Sequence, residues 1–199
     1  MPIDFEKQSY WRERFTSEKS FEWLTPSATF MELLAPYLHR LPNSSRILHL
    51  GSGTSDLHNH LRREGFLNVT NVDFEPIAIE RGQQLEQDCF GDVRMMYLVA
   101  DATQLDSGEE YPLVVDKSTA DAIACGGEDA MISLGRSVYR CLGDGGIWIS
   151  LSYSQSRFED VQFLFEVEVI SEIPTPKAKP TDPEVYHYCY LLRPRRHPL

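Results

Sequence analysis

Residues able to hold a nucleoside cluster between Arg46 and Phe74, in the run R-I-L-H-L-G-S-G-T-S-D-L-H-N-H-L-R-R-E-G-F-L-N-V-T-N-V-D-F. Gly51-Ser52-Gly53 lets main chain approach a ligand closely, because glycine presents no Cβ and accepts either sign of φ. Asp73 follows Gly51 by 22 residues, and a carboxylate at that spacing can bridge both hydroxyls of a ribose. Two ligand classes use this pairing. A dinucleotide lays its pyrophosphate on the N-terminus of the helix after the glycines, and the G-x-G-x-x-G form has glycine where this chain carries Asp56. A carboxylate there repels phosphate and adds bulk. S-adenosyl-L-methionine brings an adenosine and no phosphate, so Asp56 costs it less, and the motif favours the methyl donor over NAD. Asp56 also reads as a first-turn acid complementing the helix dipole, which fits both ligands.

The elements that must position these groups follow from periodicity and turn signals. Arg46 to Leu50 is a short apolar run bounded by a turn, hence a buried strand. Thr54 and Ser55 are N-cap residues for a helix beginning near Asp56, with Leu57, Leu61 and Phe66 for its inner face. Asn68 to Val72 is a second strand with Asp73 at its tip. Before this unit, Ser27 opens a helix carrying Phe30, Leu33, Leu34 and Leu38 inward. After it, Pro76 to about Gln87 is a crossover helix with Ile77, Ile79 and Leu85. Met95 to Val99 is a third strand that brings Asp101 and Ala102 to the same sheet edge as Asp73. Asp101 serves equally well as a loop residue capping a turn. Pro112 to Val115 is a fourth strand, ending in D-K-S-T-A-D from Asp116 to Asp121. A helix from Asp129 to Leu142 stops at Gly143-Asp144-Gly145-Gly146, and Gly146 to Tyr153 is a fifth strand. Phe163 to Ile173 and Val185 to Leu192 flank a loop from Pro174 to Pro183, which makes a long hairpin whose last strand is antiparallel. The expected fold is α/β: a Rossmann-like seven-stranded methyltransferase sheet, order 3-2-1-4-5-7-6, with helices on both faces.

Composition sets the bounds. At 199 residues and 22.8 kDa the chain is expected to be a single domain (1–199), with 1–26 as an N-terminal arm over the cofactor site. That arm carries Phe5, Tyr10, Trp11, Phe15, Phe21 and Trp23; Trp11 and Phe15, four apart, share a helix face. Such aromatics either pack a leading helix or wall a ligand off from water. No apolar run approaches a membrane span and the opening residues are too polar for a signal peptide, so a cytoplasmic protein is expected. Cys89, Cys125, Cys141 and Cys189 are scattered and read as reduced thiols. The net charge of −11 argues against nucleic acid as a partner and favours a basic one. His58 and His60 are two apart, so a helix points them about 200° from one another and they make no metal pair. His39, His49, His187 and His197 read as structural or surface groups.

The opening Y-W-x-x-R-F and F-E-W-L, then L-G-S-G-T-S-D-L, N-V-D-F, V-A-D-A and V-D-K-S-T-A-D-A, together resemble the eukaryotic elongation factor 1-alpha lysine methyltransferase family over about Tyr10 to Leu192. The resemblance implies that Trp11, Phe15 and Trp23 contact S-adenosyl-L-methionine and that Gly51 lies under its methionine part. It implies that Asp73 holds the ribose, that Phe74, Asp101 and Ala102 form the adenine pocket, and that Lys117 contacts the ligand from strand four. Gly53 joins the set on the glycine-turn argument alone. The chain departs from the family with Ser52 and Thr54 in the glycine turn, Ser118 in place of a glycine in D-K-G-T, and a short stretch from Ala124 to Asp129.

The implied activity is transfer of a methyl group, leaving S-adenosyl-L-homocysteine, to a lysine on a basic protein such as a translation elongation factor, by a monomer that binds neither nucleic acid nor membrane. A sulfonium is already an activated leaving group, so the protein must mainly align the acceptor and exclude water. A lysine acceptor must be neutral; Asp116, Asp121, Ser118 and Thr119 lie near enough in sequence to take its proton, and none is assigned as catalytic. A small-molecule N-, O- or S-methyltransferase, or a non-catalytic scaffold of the same fold, stands as the alternative. An NAD oxidoreductase lacks both the third glycine and a Tyr-x-x-x-Lys pair.

Overall fold

A computed structural model describes residues 5–106 and 108–196. His197 and the first four residues of the arm, named above, lie outside the described residues. One seven-stranded sheet runs in the order β3-β2-β1-β4-β5-β7-β6. Its strands are β1 (Ile47–Leu50), β2 (Val69–Asp73), β3 (Met96–Val99), β4 (Tyr111–Lys117), β5 (Leu142–Ser152), β6 (Phe165–Pro174) and β7 (Tyr186–Pro194). The first five pair parallel, and β7 pairs antiparallel with both β5 and β6. Every residue of β1 and β2 is buried, the polar His49, Thr70, Asn71 and Asp73 included, because the sheet is covered on both faces.

The helices are α1 (Gln8–Ser17), α2 (Ser27–Leu38), α3 (Leu57–Arg63), α4 (Pro76–Phe90), α5 (Thr119–Ala124) and α6 (Glu128–Cys141). Leu48, Leu50, Val114 and Trp148 point to the face that packs Leu134 and Val138 of α6. Ile47, Leu113, Val115 and Ile149 point the other way, onto Phe30 and Leu34 of α2 and Leu57 and Leu61 of α3. Alternation along each strand thus sends successive residues to opposite layers. His49, Asp73 and Lys117 fall on the α2–α3 side by the same parity.

Two local expectations change, and two further features emerge. Phe66 is buried but lies beyond α3, which ends at Arg63. On α4 the inward residue is Glu86 and not Leu85, because its carboxylate accepts from Arg62 at 2.5 Å and from the Tyr97 hydroxyl at 2.9 Å. The turn after Lys117 becomes α5, a six-residue helix too short to show a period. Near the end of β7, Arg193 pairs with Glu168 at 2.9 Å, and Arg195 Nε donates to the carbonyl of Gln162 at 2.8 Å.

Candidate active site

A cavity of about 280 Å³ lies against the C-terminal ends of the central strands, with residues of the arm forming its outer wall. Trp11, Phe15, Trp23, Gly51, Gly53, Asp73, Phe74, Asp101, Ala102 and Lys117 all line it. The structure therefore brings together every residue expected to contact the cofactor. The two acids near the methyl-acceptor end do not join them. Asp116 is fully buried, accepting from Trp148 Nε1 at 2.8 Å and from the Ala120 N–H at 3.2 Å. Asp121 binds Ser152 Oγ at 2.5 Å and Arg157 Nε at 2.8 Å, tying the end of β5 to the loop that follows. Both acids serve the scaffold.

The glycine turn is built for close approach. Gly51 has φ +57°, and a Cβ on it would stand 2.2 Å from Thr119 Oγ1. Thr119 cannot easily retreat, since its hydroxyl donates to the carbonyl of Leu50 at 2.9 Å. Gly53 has φ +51° but open space around it, the nearest atom being Phe15 Cζ at 3.7 Å. Its N–H donates to Asp73 Oδ2 at 2.9 Å, while Asp73 Oδ1 accepts from the Glu75 N–H at 2.9 Å. Each carboxylate oxygen thus keeps a lone pair for a ligand. Burial pushes the Asp73 carboxyl up to about 6 in spite of these two bonds.

At the other end of the cavity, Asp101 caps the short 3₁₀ turn Ala102–Gln104, accepting from the Thr103 N–H at 2.8 Å and the Thr103 hydroxyl at 2.7 Å. Its turn-capping role is thus realised, and the residue still faces the cavity. Phe74 is tied to the arm through its carbonyl, which accepts from Gln8 Nε2 at 2.6 Å.

Lys117 is the latch of the arm. Its ammonium pairs with Glu22 and donates to the carbonyls of Trp23 at 3.0 Å and Thr25 at 3.1 Å. All three of its protons are thereby committed, so what it can offer a ligand is its methylene stem. Glu22 is held from three sides, also accepting from Ser27 Oγ at 2.9 Å and from the Asp56 N–H at 3.0 Å, next to the start of α3. These contacts hold its carboxyl below its ordinary value against the opposing effect of burial. Between the two carbonyls Leu24 adopts φ +65°, and the Thr25 N–H bonds back to the Trp23 carbonyl at 2.7 Å, a strained three-residue turn. Arg14 lies 4.7 Å from the Trp23 ring centre and pairs with Glu18 at 2.7 Å. Glu18 in turn accepts from Thr54 Oγ1 at 2.5 Å.

Three residues of this site escaped the sequence reading. Glu22 was visible only as part of F-E-W-L; the usable signal was that a lysine at a buried strand tip needs a counter-charge nearby. Thr119 was noted for its hydroxyl alone, whereas it sets the shape of the glycine turn. His49, taken as structural or surface, is buried and lines the cavity. Ser118, where the resemblance expects glycine, keeps a φ of +71°, so the left-handed turn survives the substitution.

The fold and the nucleoside-shaped site define a class I methyltransferase, and comparison with known proteins bears on its kind. No protein-family model matches the chain. It is 59% identical over 198 residues to the methyltransferase srdJ of Neurospora crassa, covering 96% of this chain and 85% of that protein. It is 30% identical over 159 residues to the eEF1A lysine and N-terminal methyltransferase homolog of Drosophila melanogaster, covering 76% of this chain but only 23% of that protein's length. The magnesium protoporphyrin IX methyltransferase of Synechocystis, solved with bound S-adenosylmethionine, shares the fold with a TM-score of 0.68 at 11% identity, over 97% of this chain and 98% of that one. The chain belongs with srdJ to the S-adenosylmethionine-dependent methyltransferases.

Proposed function

We propose that the cavity holds S-adenosyl-L-methionine and that the enzyme methylates a lysine side chain of a basic protein, such as a translation elongation factor. The carrying observation is the buried Asp73 carboxylate beside the Gly51–Gly53 turn, with one lone pair free on each oxygen for the two ribose hydroxyls. Phe74 and Ala102 bracket the adenine and Asp101 takes its amino group. Gly51 passes beneath the methionine part. When bound, the sulfonium supplies an activated methyl group. A neutral acceptor amine would take that methyl group, giving S-adenosyl-L-homocysteine and a methylammonium whose extra proton passes to solvent. The arm excludes water from that step with Trp11, Phe15 and Trp23, and the chain acts as one domain, a cytoplasmic monomer. Among the described residues no helix is long and apolar enough to cross a membrane. The net charge of −11 suits a basic substrate, and the relative from Drosophila is named for methylating such a protein. A small-molecule acceptor is the second reading, favoured by the aromatic wall of Phe5, Phe21 and Trp23, which suits a compact apolar molecule.

The test uses S-adenosylmethionine labelled on its methyl group, cell lysate, and an Asp73→Ala control. Label on one protein band that survives base treatment and is absent with the control supports the protein-lysine reading. Label confined to the small-molecule fraction overturns it in favour of the second.

A pH dependence also follows. Two hydroxyl donors prefer the ionised carboxylate, so ligand binding lowers the Asp73 pKa from about 6 and takes up no proton above it. Calorimetric affinity for S-adenosylhomocysteine is expected to be flat above about pH 7. Below pH 6 it should fall, approaching about tenfold per unit. Asp73→Asn should bind more weakly and flatten this slope; a slope unchanged in the variant would remove Asp73 from the ribose.

A further inference from the structure

The run D-K-S-T-A-D at the tip of β4 ties every polar side chain but one into the protein. Asp116 accepts from Trp148 Nε1 and the Ala120 N–H. Lys117 gives its protons to Glu22, Trp23 and Thr25. The Thr119 hydroxyl donates to the Leu50 carbonyl, and Asp121 holds Ser152, Arg157 and the Tyr153 N–H. Ser118 is the exception. It is half-buried and lines the cavity, and among the described residues its hydroxyl has no hydrogen-bond partner.

The fold does not use that hydroxyl. Ser118 holds φ +71° and ψ 1°, a left-handed conformation that glycine takes freely and an L side chain does not. Its main chain is fixed from both sides. The N–H donates to the Leu151 carbonyl at 2.8 Å, and its carbonyl accepts from the Ala122 N–H at 3.2 Å. Glycine would keep both bonds. A serine just before a helix ordinarily caps it, but here the Ala120 N–H goes to Asp116 and Ser118 caps nothing. A strained residue whose side chain serves no internal contact, on the wall of a cavity, points to a ligand.

The strand order says which ligand. With the ribose on Asp73 at β2 and the adenine toward β3, β4 stands on the far side of β1. A Cβ on Gly51 would meet Thr119, so Ser118 lies one residue from the point where the glycine turn touches α5. The nucleoside fills the β2–β3 side, which leaves the β4 side to the acceptor. Resting on the reading of an amine methyltransferase, we propose that the Ser118 hydroxyl accepts a hydrogen bond from an N–H of the acceptor amine and aims its lone pair at the methyl group. A serine hydroxyl is too weak a base to keep the acceptor's proton, so its part is alignment.

The experiment compares Ser118→Gly and Ser118→Ala with the unmodified enzyme. Glycine removes the hydroxyl and the strain; alanine removes the hydroxyl alone. The readouts are thermal melting, calorimetric affinity for S-adenosylhomocysteine, and the initial rate of methyl transfer from labelled S-adenosylmethionine into cell lysate. The glycine variant is expected to melt about 1–4 °C higher, and the alanine variant within about 2 °C of the unmodified enzyme. Both should bind S-adenosylhomocysteine within about twofold of the unmodified enzyme, yet transfer methyl about threefold to tenfold more slowly, the range for one neutral hydrogen bond. A purely structural role would move stability and rate together. An alanine variant with the full rate would overturn the proposal. So would affinity for S-adenosylhomocysteine that falls as far as the rate, which would place the hydroxyl on the cofactor. Label confined to small molecules would remove the lysine reading, while the same rate comparison on that fraction still decides Ser118. No label from the unmodified enzyme would remove the amine-methyltransferase reading and the proposal with it.

Discussion

Gly51→Ala is expected to lower the melting temperature by about 6–12 °C and to abolish measurable S-adenosylhomocysteine binding. The first part combines two costs. A Cβ at φ +57° carries the left-handed penalty of about 1–2 kcal/mol. The 2.2 Å approach to Thr119 Oγ1 adds overpacking of about 1–3 kcal/mol, since that hydroxyl is bonded to Leu50 and must break away to yield. A total near 3 kcal/mol corresponds to the stated shift in a chain of this size. Binding is lost because relief of the clash moves the Gly51–Gly53 main chain away from the ligand and from Asp73. Gly53→Ala provides the contrast. It shares the backbone strain but meets only Phe15 at 3.7 Å, so its melting temperature should fall about half as far. Equal losses from the two variants would show that Thr119 does not constrain the turn. The double variant Gly51→Ala, Thr119→Gly should lose less than the sum of its parts.

Lys117→Met should be nearly as severe. Removing one member of a buried ion pair leaves the other uncompensated, which typically costs about 3–5 kcal/mol. Here it also strips the Trp23 and Thr25 carbonyls of their donor. Glu22 retains Ser27 Oγ and the Asp56 N–H, which places the expected loss at the lower end, about 3 kcal/mol, read as a melting point about 6–12 °C lower. Because Trp23 then loses its anchor, S-adenosylhomocysteine should bind at least about tenfold more weakly. Glu22→Gln with Lys117→Met removes both charges and should recover part of the stability. A double variant as unstable as the sum of the singles would mean that the pair is not coupled.

Much of this was legible in the chain itself. The sheet order was readable because each strand has its own turn signal, and because the final two runs lack a crossover helix between them. The glycine turn and Asp73 were readable because a backbone that must pass close to a ligand leaves few residue types to choose from. What could not be read is what depends on long-range partners. Glu86 carries no apolar signal for the inner face of its helix, and only Arg62 and Tyr97, distant in sequence, account for its burial. Lys117 looked like a ligand contact, and its protons go to residues 92 to 95 positions away. His49 looked inert, since nothing in the local pattern reveals that it pairs with Asn71 beside the cavity.

The latch between Lys117 and the arm also orders the protein's birth on the ribosome. Trp11, Phe15 and Trp23 precede every strand, yet Phe74, which anchors Gln8, lies 66 residues from it, and Lys117 lies 95 from Glu22. At about 5–20 residues per second, the nascent arm waits roughly 5–20 s for the partner that fixes it. The arm's wall of the cavity is therefore fixed only once Lys117 has been made, although the arm precedes the whole sheet along the chain.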